Sequence, residues 1–225
     1  MKHYFTKGEW ALWLGSCAVI IVAFFAFGST EYLTLAASLI GVTSLIFNAK
    51  GNPVGQALMV VFSLIYGVIS YSCAYYGEML TYLGMTMPMA VVALVGWLRH
   101  PYKGKKTQVK INRLTGREWL LMAALTAAVT VLFYFILKVF GTGRLLLSTL
   151  SVFTSFAAVW LTFRRSACFA LAYAANDMVL IALWILAALE DGGYVPVIVC
   201  FGAFLINDIY GFVNWQTMAR TQTEG

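Results

Sequence analysis

The stretch RHPYKGKKTQVKINRLTGRE, residues 99–118, is the longest hydrophilic segment of this chain. It interrupts a sequence of 225 residues that is 61% hydrophobic and only 11% charged, with a mean hydropathy of +0.82. A spanning helix needs about 20 mostly apolar residues, and stretches of that kind lie on both sides of the segment. The sequence therefore predicts an all-α integral membrane protein in which residues 99–118 join two groups of transmembrane helices.

Eight apolar stretches fit transmembrane helices, four before the basic segment and four after it. A window of about 20 apolar residues without internal charge clusters defines each one. The predicted bounds are 10–28, 32–47, 54–76, 79–98, 119–137, 145–163, 167–189 and 193–215.

The basic residues are distributed unevenly between the gaps. All but two of the 15 Lys and Arg lie in every second gap, while Lys138 and Arg144 share one gap on the other side. Basic loops stay in the cytoplasm, so we expect both termini to be cytoplasmic. Retention of these loops at the anionic face of the lipid bilayer explains the net charge of +6, and no nucleic-acid partner is expected.

The order of the spans predicts an internal duplication. Two adjacent three-helix units would have opposite orientations, and a single extra crossing between them restores the same orientation. Glycines recur at one offset, since Gly77 and Gly192 are 115 residues apart, as are Gly96 and Gly211. We divide the chain into an N-terminal extra helix (1–31), a first three-helix repeat (32–98), a basic loop with a connector helix (99–144), a second three-helix repeat (145–217) and a cytoplasmic tail (218–225).

Polar residues inside the spans mark a candidate solute site. Asn176-Asp177 and Asn207-Asp208 lie in the last two spans, where a buried carboxylate costs about 2.5–3.5 kcal/mol and faces a bundle interior or a wet cavity. Parallel repeats place a solute between the units near mid-membrane. Asn residues also bridge helices, so the two aspartates either bind solute or belong to a structural network. The candidate binding residues are Asn176, Asn207, Tyr173, Trp184, Asp177, Asp208, Tyr210, Gln56 and Tyr82.

This lining favours a neutral or mildly cationic polar solute with an aromatic part. No Lys or Arg lies within a predicted span to meet a phosphate. The chain has no nucleotide-binding G-x-x-x-x-G-K-[ST] motif and no visible nucleophile–base pair, so we expect neither an enzyme nor a bound cofactor. The cysteines lack metal-ligand spacing, so we expect small apolar roles for them and no metal site. They are Cys17, Cys73, Cys168 and Cys200.

Four stretches resemble one family. They are SLIGVTSLIFNAKGN (38–52), YYGEMLTYLGMTMPMA (75–90), FALAYAAND (169–177) and FLINDIYGFVNW (204–215). Together they resemble the PnuC-type vitamin transporters, over about residues 30–218. The resemblance implies a three-one-three helix arrangement related to the SWEET sugar transporters, and a homotrimer.

The resemblance also implies passive uptake of nicotinamide riboside, which a cytoplasmic kinase then phosphorylates and traps. In the family's W-x-x-x-N pattern, Asn176 matches the Asn, whereas Ala172 stands at the Trp position. Tyr173 or Trp184 would then stack on the solute ring. Asn207 matches the family's Asn in the last span, and Tyr82 aligns near a Gln used by some members.

Three other functions remain open at this point. The solute could be thiamine or a nucleoside, which related subfamilies carry. The chain could also be the substrate-capture subunit of an ATP-driven vitamin transporter, with a docking face of small residues in the second span. A facilitator equilibrates its solute alone in liposomes, whereas a capture subunit binds tightly and equilibrates slowly.

Overall fold

The computed structural model describes residues 4–72, 76–189 and 192–224; Cys73 lies outside them. Within these residues, eight helical spans are long and apolar enough to cross a membrane, which confirms the predicted fold class. The helices are α1 (Lys7–Ala26), α2 (Tyr32–Ala49), α3 (Pro53–Ser72), α4 (Tyr76–Thr81), α5 (Met87–Arg99), α6 (Gly116–Val139), α7 (Leu145–Phe163), α8 (Phe169–Ala188) and α9 (Val195–Glu224). A π-helical turn, Tyr82–Thr86, joins α4 to α5 within one span, and a short 3-10 helix, Gly192–Tyr194, precedes α9.

Helices α1 and α6 begin with the same sequence pattern, TKGEW (6–10) and TGREW (115–119). In each, the Thr hydroxyl accepts from the backbone N–H of the Glu three residues later, and that Glu accepts from the backbone N–H of the Thr. This capping box satisfies two N–H groups that a helix start leaves without partners. Both helices therefore start at a fixed residue at the same end of the bundle.

The two capping glutamates also pair with cations at matching places. Glu9 accepts from Lys50 Nζ at 2.7 Å, and Glu118 pairs with Arg164. Lys50 is the residue after α2, and Arg164 is the residue after α7. Helix α1 is therefore bonded to the end of α2 in the same way as α6 is bonded to the end of α7. The extra helix α1 and the connector helix α6 thus occupy corresponding positions.

Two buried tryptophans make reciprocal contacts at the same end. Trp97 Nε1 donates to Thr162 O near the end of α7, while Trp215 Nε1 donates to Asn48 O near the end of α2. The two indole rings lie 5.3 Å apart. Helix contacts are paired in the same way, because α2 packs on α9 and α7 packs on α5. Such reciprocity favours the predicted parallel repeats, with one further span before each of them. The four spans formed by α1–α5 and the four spans formed by α6–α9 are here called the first and second halves.

The basic segment contains a small β-hairpin, which the sequence analysis did not predict. Strand β1 (Pro101–Tyr102) pairs with β2 (Lys105–Val109) in an antiparallel arrangement. The two residues between them, Lys103 and Gly104, have φ values of 48° and 74°, as a two-residue type I′ turn requires. Buried Val109 ends the hairpin, and its N–H donates to Gly51 O at 2.9 Å.

All the basic gaps meet at this end of the molecule, here called the basic end. Asn112 N donates to Arg165 O at 3.0 Å, and Tyr4 Oη accepts from Asn52 Nδ2 at 2.7 Å. The segment predicted as a tail continues α9, and Gln222 bonds the backbone of both Val109 and Ile111. The connecting segments that the charge pattern groups together therefore lie at the same end of the bundle.

Candidate functional site

A cavity of about 580 Å³ lies between the two halves, within the size range of small-molecule sites. Its walls come from α2, α3 and the π turn on one side, and from α7, α8 and α9 on the other. It extends from Tyr173 and Asp208 to Arg144 and Tyr194, which lie at the end opposite the basic end. Its position agrees with the expectation of a site between two units.

The π turn has an identifiable cause in Pro88. A proline has no N–H, and its ring clashes with the carbonyl four residues earlier. Here the preceding residue, Met87, donates its N–H to Tyr82 O, five residues back. The wider turn that results is a common feature of functional sites. Tyr82 and Thr86, at its two ends, both line the cavity.

Aromatic rings form the wall contributed by the first half. Tyr66 and Tyr82 have ring centroids 4.6 Å apart, and Phe62 lies 5.5 Å from Tyr66 and 5.9 Å from Tyr82. Phe204 of α9 continues this wall, 6.2 Å from Phe62. Packing this close needs Gly41, because a Cβ there would lie 2.6 Å from the tip of the Phe204 ring.

The second half contributes the polar wall, in which Asn176 has an unusual set of partners. Its Oδ1 accepts from Thr154 Oγ1 at 2.8 Å, from Ser155 Oγ at 2.9 Å and from Ser151 Oγ at 3.4 Å. All three hydroxyls belong to α7, and Thr154 Oγ1 also lies 3.1 Å from Leu150 O and from Ser151 O. With Oδ1 occupied, the Nδ2 group is the part of the amide left to donate to a solute.

Asp177 and Asp208 also line the cavity, on the neighbouring helices α8 and α9. They are 3% and 4% exposed, and Asp177 Oδ2 has no hydrogen-bond partner among the described residues. The structure therefore places both aspartates of the last two spans on the wall of one cavity.

At the basic end, a cluster of large rings lies beneath the cavity. Phe169 lies 6.3 Å from Trp97 and 4.6 Å from Trp215, and all three are nearly fully buried. Tyr173 of the cavity lining packs directly on Phe169, with ring centroids 6.2 Å apart. The rings of both halves thus separate the cavity from the basic end.

Six of the nine predicted binding residues line the cavity. They are Asn176, Tyr173, Trp184, Asp177, Asp208 and Tyr82.

The other three lie outside the cavity lining and have protein partners. Asn207 Nδ2 donates to Ser16 Oγ at 2.9 Å and to Ala203 O at 2.8 Å. Tyr210 Oη donates to Glu9 Oε1 at 2.8 Å, and Gln56 Nε2 donates to Asn48 Oδ1 at 2.8 Å. Asn207 and Tyr210 lie on the face of α9 that packs on α1. Asp208 lies on a different face of α9, the one that lines the cavity.

Sequence reasoning missed the hydroxyls of α7 and the cation at the cavity mouth. Ser148, Ser151 and Ser155 line the cavity and recur at helical spacing within an apolar span, so the period of the helix could have identified them. Arg144 precedes α7 and lines the cavity, and its Nη2 donates to Leu186 O at 2.7 Å. Its position in a predicted loop gave no sign of this role.

A multi-pass bundle with a cavity between two helix units, sized for a small organic solute, is the architecture of a membrane transporter. The comparisons with known proteins agree with this class. Residues 31–217 match the family described as nicotinamide mononucleotide transporter, and the chain belongs to that family.

Two curated relatives and one solved structure are similar over most of the chain. The nicotinamide riboside transporter PnuC of Neisseria mucosa is 27% identical, over 93% of this chain and 81% of its own. That of Haemophilus influenzae is 23% identical, over 98% and 96%. The crystal structure of the vitamin B3 transporter PnuC superposes with a TM-score of 0.83 at 25% identity, covering 97% of this chain and 94% of the other.

Proposed function

We propose that this protein carries unphosphorylated nicotinamide riboside across the membrane. The observation that carries the proposal is the composition of the cavity, with a cluster of aromatic rings on one wall and an amide donor, hydroxyls and carboxyls on the other. Two relatives bear the name nicotinamide riboside transporter. The family description names the mononucleotide instead, so the phosphate is the point to test.

We propose that Asn176 donates to the solute, and that Tyr173, Tyr82 or Trp184 packs on its ring. Asn207, Tyr210 and Gln56 also remain proposed contacts, although the bonds they make to other helices favour packing roles. Arg144 is the only Lys or Arg among the described lining residues. Because it lies at the mouth and bonds a backbone carbonyl, it does not provide a phosphate site deep in the cavity.

We propose that transport is facilitated diffusion, with phosphorylation by a cytoplasmic nicotinamide riboside kinase as the step that retains the solute. The lack of a nucleotide-binding motif in the sequence supports this mode. The charge pattern supports an orientation with both termini and the hairpin in the cytoplasm of a bacterial cell. A homotrimer and the division into two repeats joined by a connector are further proposals, which the family resemblance supports.

The test is a calorimetric comparison of nicotinamide riboside, its mononucleotide and thiamine on the purified protein. Nicotinamide riboside is expected to bind at least tenfold more tightly than the mononucleotide, a difference of about 1.4 kcal/mol. The reason is that the described lining has no Lys or Arg beside Asn176 to pair with a phosphate. Equal affinities for these two compounds would contradict the proposal. Tighter binding of thiamine would assign the site to the alternative vitamin.

A further inference from the structure

Two buried carboxyl groups, here called the carboxyl pair, lie on the same wall of the cavity. Asp177 and Asp208 belong to the neighbouring helices α8 and α9, and both line the cavity although they are almost fully buried. The Oδ2 of Asp177 is buried and has no hydrogen-bond partner among the described residues. A buried polar atom without a partner beside a cavity is a candidate contact for a ligand.

The described lining offers the carboxyl pair little positive charge. Tyr173, one helical turn before Asp177 on α8, lines the same cavity and is uncharged. The described lining contains one guanidinium, that of Arg144, which bonds Leu186 O near the far end of α8. Leu186 is nine residues beyond Asp177, roughly 14 Å along the helix axis. Over such a distance this cation does not pair with the carboxyls.

An ionised carboxyl that is buried without a partner is expensive, so a cation that enters the cavity beside it would be bound favourably. The rings of Phe62, Tyr66 and Tyr82 add to this preference, because the faces of aromatic rings attract positive charge. A bare metal ion fits poorly. The cavity is large and mostly ring-lined, and the described residues contain no group of three or more His, Cys, Asp or Glu that could hold a metal.

We propose that Asp177 and Asp208 form the specificity-determining subsite for a delocalised organic cation, the pyridinium ring of the solute. This inference rests on the proposed function and names the charge on which that function depends. The pair stabilises the bound cation electrostatically, the ring wall covers its face, and Asn176 supplies a hydrogen bond that does not depend on charge.

The test compares nicotinamide riboside with its reduced, dihydropyridine form, which keeps the carboxamide and the ribose but has an uncharged ring. Dissociation constants are measured calorimetrically on the purified protein. The native protein should bind the oxidised form at least tenfold more tightly. Asp177→Asn and Asp208→Asn should each lower the ratio of the two dissociation constants to below threefold, mainly by weakening the binding of the oxidised form.

Asn176→Ala is the matched control, because it removes a contact without removing charge. It should weaken the binding of both compounds and leave the ratio of their dissociation constants within twofold of the native value. If a single aspartate variant does not fold, the double variant Asp177→Asn/Asp208→Asn replaces it, and the ratio in the native protein already tests the inference.

The possible failures point to different conclusions. If the native protein binds both forms equally well, or if the aspartate variants keep the native ratio, the charge-selective subsite is wrong while the proposed function stands. If the native protein binds no nicotinamide riboside, the proposed function fails and this inference fails with it.

Discussion

At Asn176, the two ends of one amide have different environments. The oxygen accepts from the hydroxyls of Thr154 and Ser155 at 2.8 and 2.9 Å, while the nitrogen is left to face the cavity that this residue lines. A helix in the second half therefore positions a donor on its neighbour. A solute atom bound to this nitrogen would have to be an acceptor, such as a carboxamide oxygen.

Replacing Asn176 tests this role directly. Losing one hydrogen bond to a buried partner costs about 1–3 kcal/mol, so Asn176→Ala should weaken binding of nicotinamide riboside by roughly five- to 150-fold. Calorimetry on purified protein measures the change. Asn214→Ala is the matched control, because Asn214 donates to Ala49 O at the basic end, away from the cavity. Native affinity in the Asn176 variant would show that the solute binds elsewhere.

At the scale of the helices, α1 is a structural strap across the two halves. Glu9 accepts from Lys50, after α2, and from Tyr210 on α9. Farther along α1, Trp13 donates to Thr43 of α2, and Ser16 accepts from Asn207 of α9. Helix α1 therefore bonds both α2 and α9 at two levels of the bundle and joins the two halves.

The two capping boxes supply a matched pair of variants. A glutamine at either position keeps the capping box and removes the charge. Glu9 is 3% exposed and Lys50 is 17% exposed, so Glu9→Gln removes a largely buried charged hydrogen bond and should destabilise the protein by about 1.5–3 kcal/mol. Glu118 and Arg164 are 22% and 33% exposed, so Glu118→Gln should cost about 0–1 kcal/mol. Thermal unfolding in detergent measures both, and equal losses would contradict this role of Glu9.

The spans and their sorting by charge could be predicted because they depend on composition along the chain. The T-x-x-E-W pattern of α1 and α6 was also present in the sequence, and it relates the extra helix to the connector.

Other features could not be predicted from the sequence, because they depend on tertiary contacts. The face of α9 that lines the cavity is one of them, because Asn207 and Asp208 are adjacent in sequence but meet different neighbours: Asn207 bonds Ser16 of α1, and Asp208 lines the cavity. The turn at Lys103 and Gly104 lacks the usual Asn-Gly or Asp-Gly signal of a hairpin.

At the scale of the whole molecule, the halves share an architecture but have different chemistry. Asn176, Asp177 and Asp208 belong to the second half, while the ring wall of Phe62, Tyr66 and Tyr82 belongs mainly to the first. The reciprocal bonds of Trp97 and Trp215 join the halves beneath the cavity. A solute held between the halves therefore contacts both, which is the arrangement that movement of one unit against the other requires.

The central claim is that this cavity conducts nicotinamide riboside down its gradient. The most direct measurement follows labelled nicotinamide riboside entering liposomes that contain the purified protein, with identical buffers on both sides and no ATP. The internal concentration should rise to the external value and stop there, and protein-free liposomes should stay empty. Entry no faster than in protein-free liposomes would contradict the claim, as would accumulation above the external concentration only when an ion gradient is imposed.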